Sequence, residues 1–438
     1  TARGTDGIDF TFLATEGLPI DVRFMLPSCV PATPMDESGA NLDYRAIDSF
    51  YDYPRVQGLA EMMNSYGVIH NDPEVVSKIV ASQAHHKKLA GHAPGLQGKD
   101  LDTYVAAGVY SDHECATLED ALAKLQRGQF IMIREGTAAH NLEALVPLLT
   151  PQYAERCMFC TDDKHPSDLL EKGHIDYIAR EAINKYGVDP IIAVKAACHH
   201  ASRYFLLNNR GAIAPGYLAD FAVIDNFKDF IVEMVFKKGV LYWNNGELRD
   251  FDAPQIEEYL DKRAHDTFHV ATLTPDDFRD TRQRGVLGMV PGEIITTDNG
   301  YADHVDLEKD ILKIAVVERH KGTHHIGLGY ILGYGRRSGA VATSISHDSH
   351  NIIVVGTNSA DMAFAANYIV EDHGGSVVVE NGVVKGSVVL EIAGIMSDRP
   401  LTEVNDQLEE ATAAAFELGV GRGIDPFMTL SFMALPVI

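Results

Sequence analysis

Six short apolar runs, each leading into a loop and separated from the next by a helix-patterned stretch, occupy the first 160 residues. They are VRFML (22–26), VQGLA (56–60), KKLAG (87–91), GVYS (108–111), FIMI (130–133) and RCMFC (156–160). Between them lie segments such as DPEVVSKIVASQAHHKK and LEDALAKLQRG. This alternation predicts a parallel sheet wound by crossover helices. In a closed barrel of that kind the C-terminal strand ends converge on one face, and closure takes eight strands over typically ~250 residues. Six runs fall two βα units short, and an open six-strand sheet exposes two long edges, which soluble proteins avoid. The expected fold class is therefore α/β, a (β/α)8 barrel present in part.

Four of the runs end in residues that suit a metal. Glu61 stands in VQGLAEMM, His92 in KLAGHAPGL, His113 in VYSDHE and Asp162 in CMFCTDD. Imidazole nitrogen and carboxylate oxygen are donors for divalent first-row metals, and such an ion brings the pKa of bound water to around 7. On this reading the two oxygens of Glu61 bridge two ions. Asp162 accepts the proton of the attacking water and returns it, base first and acid second. A single histidine is usually structural, but suitable residues at three successive strand ends, with an aspartate at the last, are less easily explained that way. Ser28, in the proline-rich loop LPSCVPATP, is a candidate substrate contact, with a stiff βα loop as the plain alternative. Cys29 beside it has no local base to make it a nucleophile.

Past the last of the six runs the pattern changes. The stretch HIDYIAREAINKYGVDPIIAVKAAC predicts two helices broken at Gly187 and Pro190, with the His199-His200 pair at a helix end in a capping role. GAIAPGYLADFAVIDN and IVEMVFKKGVLYWNNGEL predict a small β layer turning at Asn244-Asn245-Gly246. Residues 250–266 are polar enough for a linker. From about 267 short strands (FHVATL, LKIAVVER, GAVATSIS, NIIVVGT, GSVVVENGVVKG) and the helices SADMAFAANYIVED and EVNDQLEEATAAAFELG predict an α+β region. The expected division is a barrel over 1–205, a β-sandwich-like layer over 206–255 and an α+β domain over 256–438. In SISHDSHN, His347 and His350 flank Asp348 and form either a second polar site or a structural turn network. GLGYILGYG lacks the lysine and the strand-turn-helix frame of a phosphate loop.

Composition narrows the partners. A net charge of −25 does not suit nucleic acid, whose phosphates need a basic surface, and favours a small neutral substrate. Five cysteines in 438 residues do not make a disulfide framework, and the Cys157–Cys160 pair reads as part of a buried strand. No run approaches ~18 uninterrupted apolar residues, and the opening TARGTDGIDF shows no basic-then-apolar signal. The cytoplasm is the expected location, with no membrane partner and a homo-oligomer as the expected assembly.

GLAEMMN, GHAPGLQGKDLDTYVAAGVYSDHE, IREGTAAHNL and FCTDDKHP together resemble the adenine deaminases of the amidohydrolase superfamily. FMLPSCVPATPMDESGA, GAIAPGYLAD, HDSHNIIVVGTNSADMA and DPFMTLSFMALPVI extend the resemblance over essentially the whole chain. It implies conversion of adenine to hypoxanthine and ammonia at a binuclear site, commonly filled by manganese or iron, with zinc as an alternative. It implies that Glu61 is the bridging glutamate of the fourth barrel strand, that His92 and His113 are the ligands of the fifth and sixth, and that Asp162 is the aspartate of the eighth. Glu114 is then a candidate for the second acid, beside the purine ring nitrogen, with a side chain turned into the barrel wall as the plain alternative. The family's first-strand His-x-His and its D-P-H-E stretch do not occur in these residues. A separate N-terminal segment supplying the His-x-His is one expectation, and a catalytically incomplete chain needing such a partner segment is one alternative to the deaminase reading. Hydrolysis of another aminopurine or of a cyclic amide is the other.

Overall fold

Each of the six runs contributes a strand in the computed structural model, which describes residues 2–280, 282–290, 296–335 and 337–435. The strands are β1 (Phe24–Leu26), β2 (Val56–Met62), β3 (Lys88–Gly91), β4 (Ser111–Asp112), β5 (Phe130–Arg134) and β6 (Cys157–Cys160). Pairing is parallel throughout, β1-β2-β3 in one sheet and β4-β5-β6 in another. The two are laced together at Tyr110, whose N–H donates to the Leu89 carbonyl at 3.0 Å and whose carbonyl accepts from Phe130 N–H at 2.8 Å. Leu59, Leu89, Ile131, Ile133 and Cys157 are fully buried, as expected of parallel strands covered on both faces.

The crossover helices start where the chain offers caps. Asp72 accepts from the N–H groups of Glu74 and Val75 ahead of Pro73–Ala84, with Pro73 at the first helical position. Thr117 caps Leu118–Gln126 through Asp120 N–H. Ile178, Ala179, Ala182, Ala193 and Ala196 pack against Ile131, Ile133, Cys157 and Phe159 in one apolar cluster.

The chain divides into two compact units, Phe12–Cys29 with Leu42–Gln255, and Thr1–Thr11 with Val30–Asn41 and Ile256–Ile438. The first holds the six parallel strands together with a four-stranded antiparallel layer. That layer comprises β7 (Phe221–Ile224), β8 (Val232–Lys237), β9 (Val240–Asn244) and β10 (Glu247–Leu248). Glu247 pairs with Asn244, so Asn245 and Gly246 form a two-residue turn, both at positive φ (46° and 98°) as a type I′ hairpin requires.

The second unit is built on an eight-stranded sheet. Its strands are β11 (Arg284–Met289), β12 (Thr296–Ala302), β13 (Ile311–Val317), β14 (Ile326–Leu332), β15 (Ala340–Thr343), β16 (Ile352–Gly356), β17 (Gly375–Glu380) and β18 (Val383–Val389). They run in the order β12-β11-β14-β13-β16-β15-β17-β18, antiparallel except at β11–β14. Met362, Ala365, Ala366 and Ile369 of the helix Ser359–Glu371 pack on Ala315, Val317, Ala340, Ala342, Ile352 and Val354.

Three local expectations need correction, and one weak motif is placed. FHVATL forms no strand; its His269 N–H donates to the Arg319 carbonyl at 2.7 Å in an otherwise irregular segment. The linker expected at 250–266 contains the helix Glu258–His265, which buries Leu260 and Ala264, four residues apart on one face. GLGYILGYG is mostly β14, with Tyr330 and Ile331 buried. His199 and His200 are inside a continuous helical run rather than at its end: a π-type turn, Lys195–His199, joins Pro190–Val194 to His200–Tyr204. His200 is buried with Nδ1 2.8 Å from the Cys157 carbonyl. Among the described residues no helix is long and apolar enough to cross a membrane.

Candidate metal centre

The ends of the parallel strands present the acidic and imidazole residues together. Glu61 is the penultimate residue of β2, His92 directly follows β3, His113 directly follows β4, and Asp162 comes two residues after β6. His92 Nδ1 and His113 Nε2 lie 3.1 and 3.0 Å from the same oxygen of Glu61, Oε2. Glu114 brings Oε1 to 3.2 Å from His113 Nε2 and 3.7 Å from His92 Nδ1. Asp162 stands further out, Oδ2 4.0 Å from His113 Nε2, at a left-handed φ of 56°. Its other oxygen accepts from Asp163 N–H at 2.9 Å. The nitrogen and oxygen atoms that Glu61, His92 and His113 could offer an ion form one compact group, and those of His113, Glu114 and Asp162 another.

Arg134, the last residue of β5, ties these groups together and was not among the residues singled out above. Its guanidinium is buried; one terminal nitrogen donates to Asp162 Oδ2 at 2.7 Å and also to Glu114 Oε1, and Nε donates to Asn141 Oδ1 at 3.1 Å. The available signal was an arginine closing the apolar run FIMIR, a position that faces the same mouth as the other strand ends.

Ser28 is buried, and its hydroxyl donates to the Glu61 backbone carbonyl, while its own carbonyl accepts from Lys78 Nζ at 2.8 Å. In this arrangement its hydroxyl proton is committed to the strand that carries Glu61. The neighbouring Cys29 thiol is pushed up by burial, which leaves it a poor nucleophile. His347 and His350 belong to the other compact unit. His347 Nδ1 lies 2.9 Å from Asp348 Oδ1 and its ring stacks on Phe432 at 4.5 Å, while His350 N–H donates to the Ser346 carbonyl at 2.6 Å, contacts that make a local turn network.

Residues 1–242 match the model of the Amidohydrolase family, and residues 293–438 that of the Adenine deaminase C-terminal domain. An adenine deaminase of Desulfatibacillum aliphaticivorans is 44% identical over 99% of this chain and 77% of its own length. Adenine deaminases of Nitratidesulfovibrio vulgaris (strain DP4) and Dehalococcoides mccartyi are each 42% identical over 99% of this chain and 76% of theirs. The chain belongs to the adenine deaminase family. Its fold is accordingly of the metal-dependent hydrolase barrel type that the Amidohydrolase match describes.

The donor set of this adenine deaminase family member fits a divalent cation. Three carboxylates (Glu61, Glu114, Asp162) face one guanidinium, so the cluster carries more negative than fixed positive charge. His113 answers that imbalance. Burial alone would lower its pKa, but its hydrogen bonds to Glu114 and Glu61 outweigh burial and hold it well above the ordinary imidazole value. Burial would raise both glutamates, yet both end low. The His113 and His92 hydrogen bonds take Glu61 well below the usual range. His113, the His92 charge and Arg134 take Glu114 to about 2. Anionic oxygens that draw His113 into the role of a cation are chemically suited to a divalent ion.

Proposed function

We propose that this chain catalyses the hydrolytic deamination of adenine, giving hypoxanthine and ammonia, and that Glu61, His92, His113 and Asp162 hold a binuclear divalent centre for it. The convergence of Glu61, His92 and His113 at adjacent parallel strand ends, with Glu114 and Asp162 beside them, carries the reading. Nitrogen and oxygen donors without thiolate suit manganese or iron, with zinc as the alternative. Divalent ions held by these residues would supply Lewis acidity that makes water nucleophilic near neutral pH.

The remaining work falls to side chains. Carbon six of adenine holds its amine tightly until the adjacent ring nitrogen is protonated. Asp162, at the exposed rim of the cluster, accepts the proton of the attacking water and passes one to the departing amine. Glu114 is ionised in this arrangement, so the proton it delivers to the ring nitrogen is one it first takes from the water, whose other proton passes by way of Asp162 to the amine. Arg134 spans both carboxylates and sets the separation of the two proton carriers. Ser28 acts through Glu61 by holding its carbonyl. Incubating the protein as it assembles, with any segment that completes its centre, with Mn²⁺ and adenine tests the reading. Equimolar hypoxanthine and ammonia are expected, and a folded, metal-loaded protein that leaves adenine unchanged defeats it.

A second inference concerns the strands. Among the described residues β1 and β6 each pair on one side only. Their backbone groups need partners. We infer that further parallel strands pair with β1 and β6, and that one of them, from a separate N-terminal segment, carries a His-x-His completing the centre. Adding such a segment is expected to raise the manganese bound per chain; unchanged stoichiometry rejects the inference. All five cysteines are free, which suits a reducing compartment, and we assign the chain to the cytoplasm.

A further inference from the structure

Behind the two histidines lies a dry ionic cluster that the reaction does not use. Lys124, on the helix Leu118–Gln126, has no exposed side-chain surface. Its Nζ donates to Asp112 Oδ2 at 2.6 Å, to Asp120 Oδ2 at 2.8 Å and to the Ala93 carbonyl at 2.7 Å, with Cys115 Sγ at 3.6 Å. Three acceptors match the three protons of an ammonium. Asp112 also reaches across, its Oδ1 accepting from Ala93 N–H at 2.9 Å. Ala93 follows His92 and Asp112 precedes His113, so the N–H of the residue after one histidine is tied directly to the residue before the other, and its carbonyl is tied to that residue through Lys124. Cys115, which follows Glu114, donates to Asp112 Oδ2 at 3.2 Å.

We propose that Lys124 is a positioning residue: with Asp112 and Asp120 it clamps the loops after β3 and β4, and so sets where His92 and His113 stand. The proposal rests on the reading of those histidines as ligands. A buried ion cluster is a poor source of stability, since apolar residues of similar volume often serve as well or better. What it supplies is directional contact. No apolar side chain hydrogen-bonds the Ala93 carbonyl, and partners standing behind metal ligands typically change metal affinity 10–100-fold.

Two variants test this. Asp112→Asn leaves Lys124 balanced by Asp120 alone, and the triple variant Asp112→Asn/Asp120→Asn/Lys124→Met removes every charge while keeping volume. Three quantities are measured on the full chain: Mn²⁺ affinity by equilibrium dialysis, amide exchange of residues 92–96 and 111–115, and the melting temperature. The expected result is affinity lower by about 10–100-fold in both variants, with loss of exchange protection at 92–96, while the triple variant melts no lower than the parent. Parental affinity and parental exchange in the folded variants overturn the clamp, whatever the melting temperature does. If the triple variant does not fold, Asp112→Asn decides alone. If the parent itself takes up no Mn²⁺, the metal reading has failed and exchange at 92–96 decides: faster exchange in the variants supports the clamp, and unchanged exchange rejects it.

Discussion

Arg134 brings together the two carboxylates on which the proposed proton transfers depend. Asp162→Asn keeps the shape of the acid but removes the base, and turnover of adenine is expected to fall about 10²–10⁴-fold with the fold intact. A rate assay beside a circular-dichroism spectrum checks both halves of that statement. Arg134→Lys keeps the charge but not the fork, so one ammonium cannot hold Glu114, Asp162 and Asn141 together. A loss in kcat of roughly 10–100-fold, the range seen when partners behind ligating groups are removed, is expected with a smaller change in KM. Equal kcat in the two proteins rules out the spanning role. The meeting of Glu61, His92 and His113 was legible in the sequence because a polar residue at a strand end leaves a local mark: an apolar run, then the residue. Arg134, Lys124 and Asp112 were not, because what they touch lies up to 31 residues away and is decided by how the strands approach.

At the scale of elements, the six strands were readable from period and punctuation, and their order follows from the chain. The tightness of their approach does not. A methyl group added at Gly91, the last residue of β3, would sit 2.1 Å from the Ser111 carbonyl oxygen of β4 and 2.7 Å from Val109 Cγ1. Only the absence of a side chain lets the two strands present His92 and His113 side by side. Gly91→Ala is therefore expected to cost about 1–3 kcal/mol by chemical denaturation, as overpacking does, and to lower manganese affinity at the same time. A variant with parental stability shows that β3 and β4 can separate without cost. The readings that failed share a cause. FHVATL has strand-like composition but no neighbour that pairs along it, and the helix Glu258–His265 hides its two buried positions in a polar background.

For the molecule as a whole, the second unit carries its own pH signature. His320 is 9% exposed and its Nε2 hydrogen-bonds the Ser349 carbonyl at 2.8 Å. Burial first, and the charge of Arg319 second, pull its pKa down to about 3. In the unfolded chain an imidazole titrates near 6.5. Between those values the unfolded state binds more protons, so the stabilisation is complete above about pH 6.5 and is lost progressively as pH falls toward 3. Between pH 7 and pH 5 the parent should lose about 2 kcal/mol more stability than His320→Gln, which keeps a donor but not the titration. Parallel denaturation curves at the two pH values settle it; equal losses mean that His320 is not the group responsible.

The central claim is that the strand-end cluster deaminates adenine. Its most direct measurement is the rate of hypoxanthine formation from adenine by the protein as it assembles, loaded with Mn²⁺, beside the same protein carrying His113→Ala. The account predicts one ammonia for each hypoxanthine in the parent and loss of both products in the variant. A folded, manganese-loaded parent without turnover, or a variant that keeps the parental rate, would contradict it.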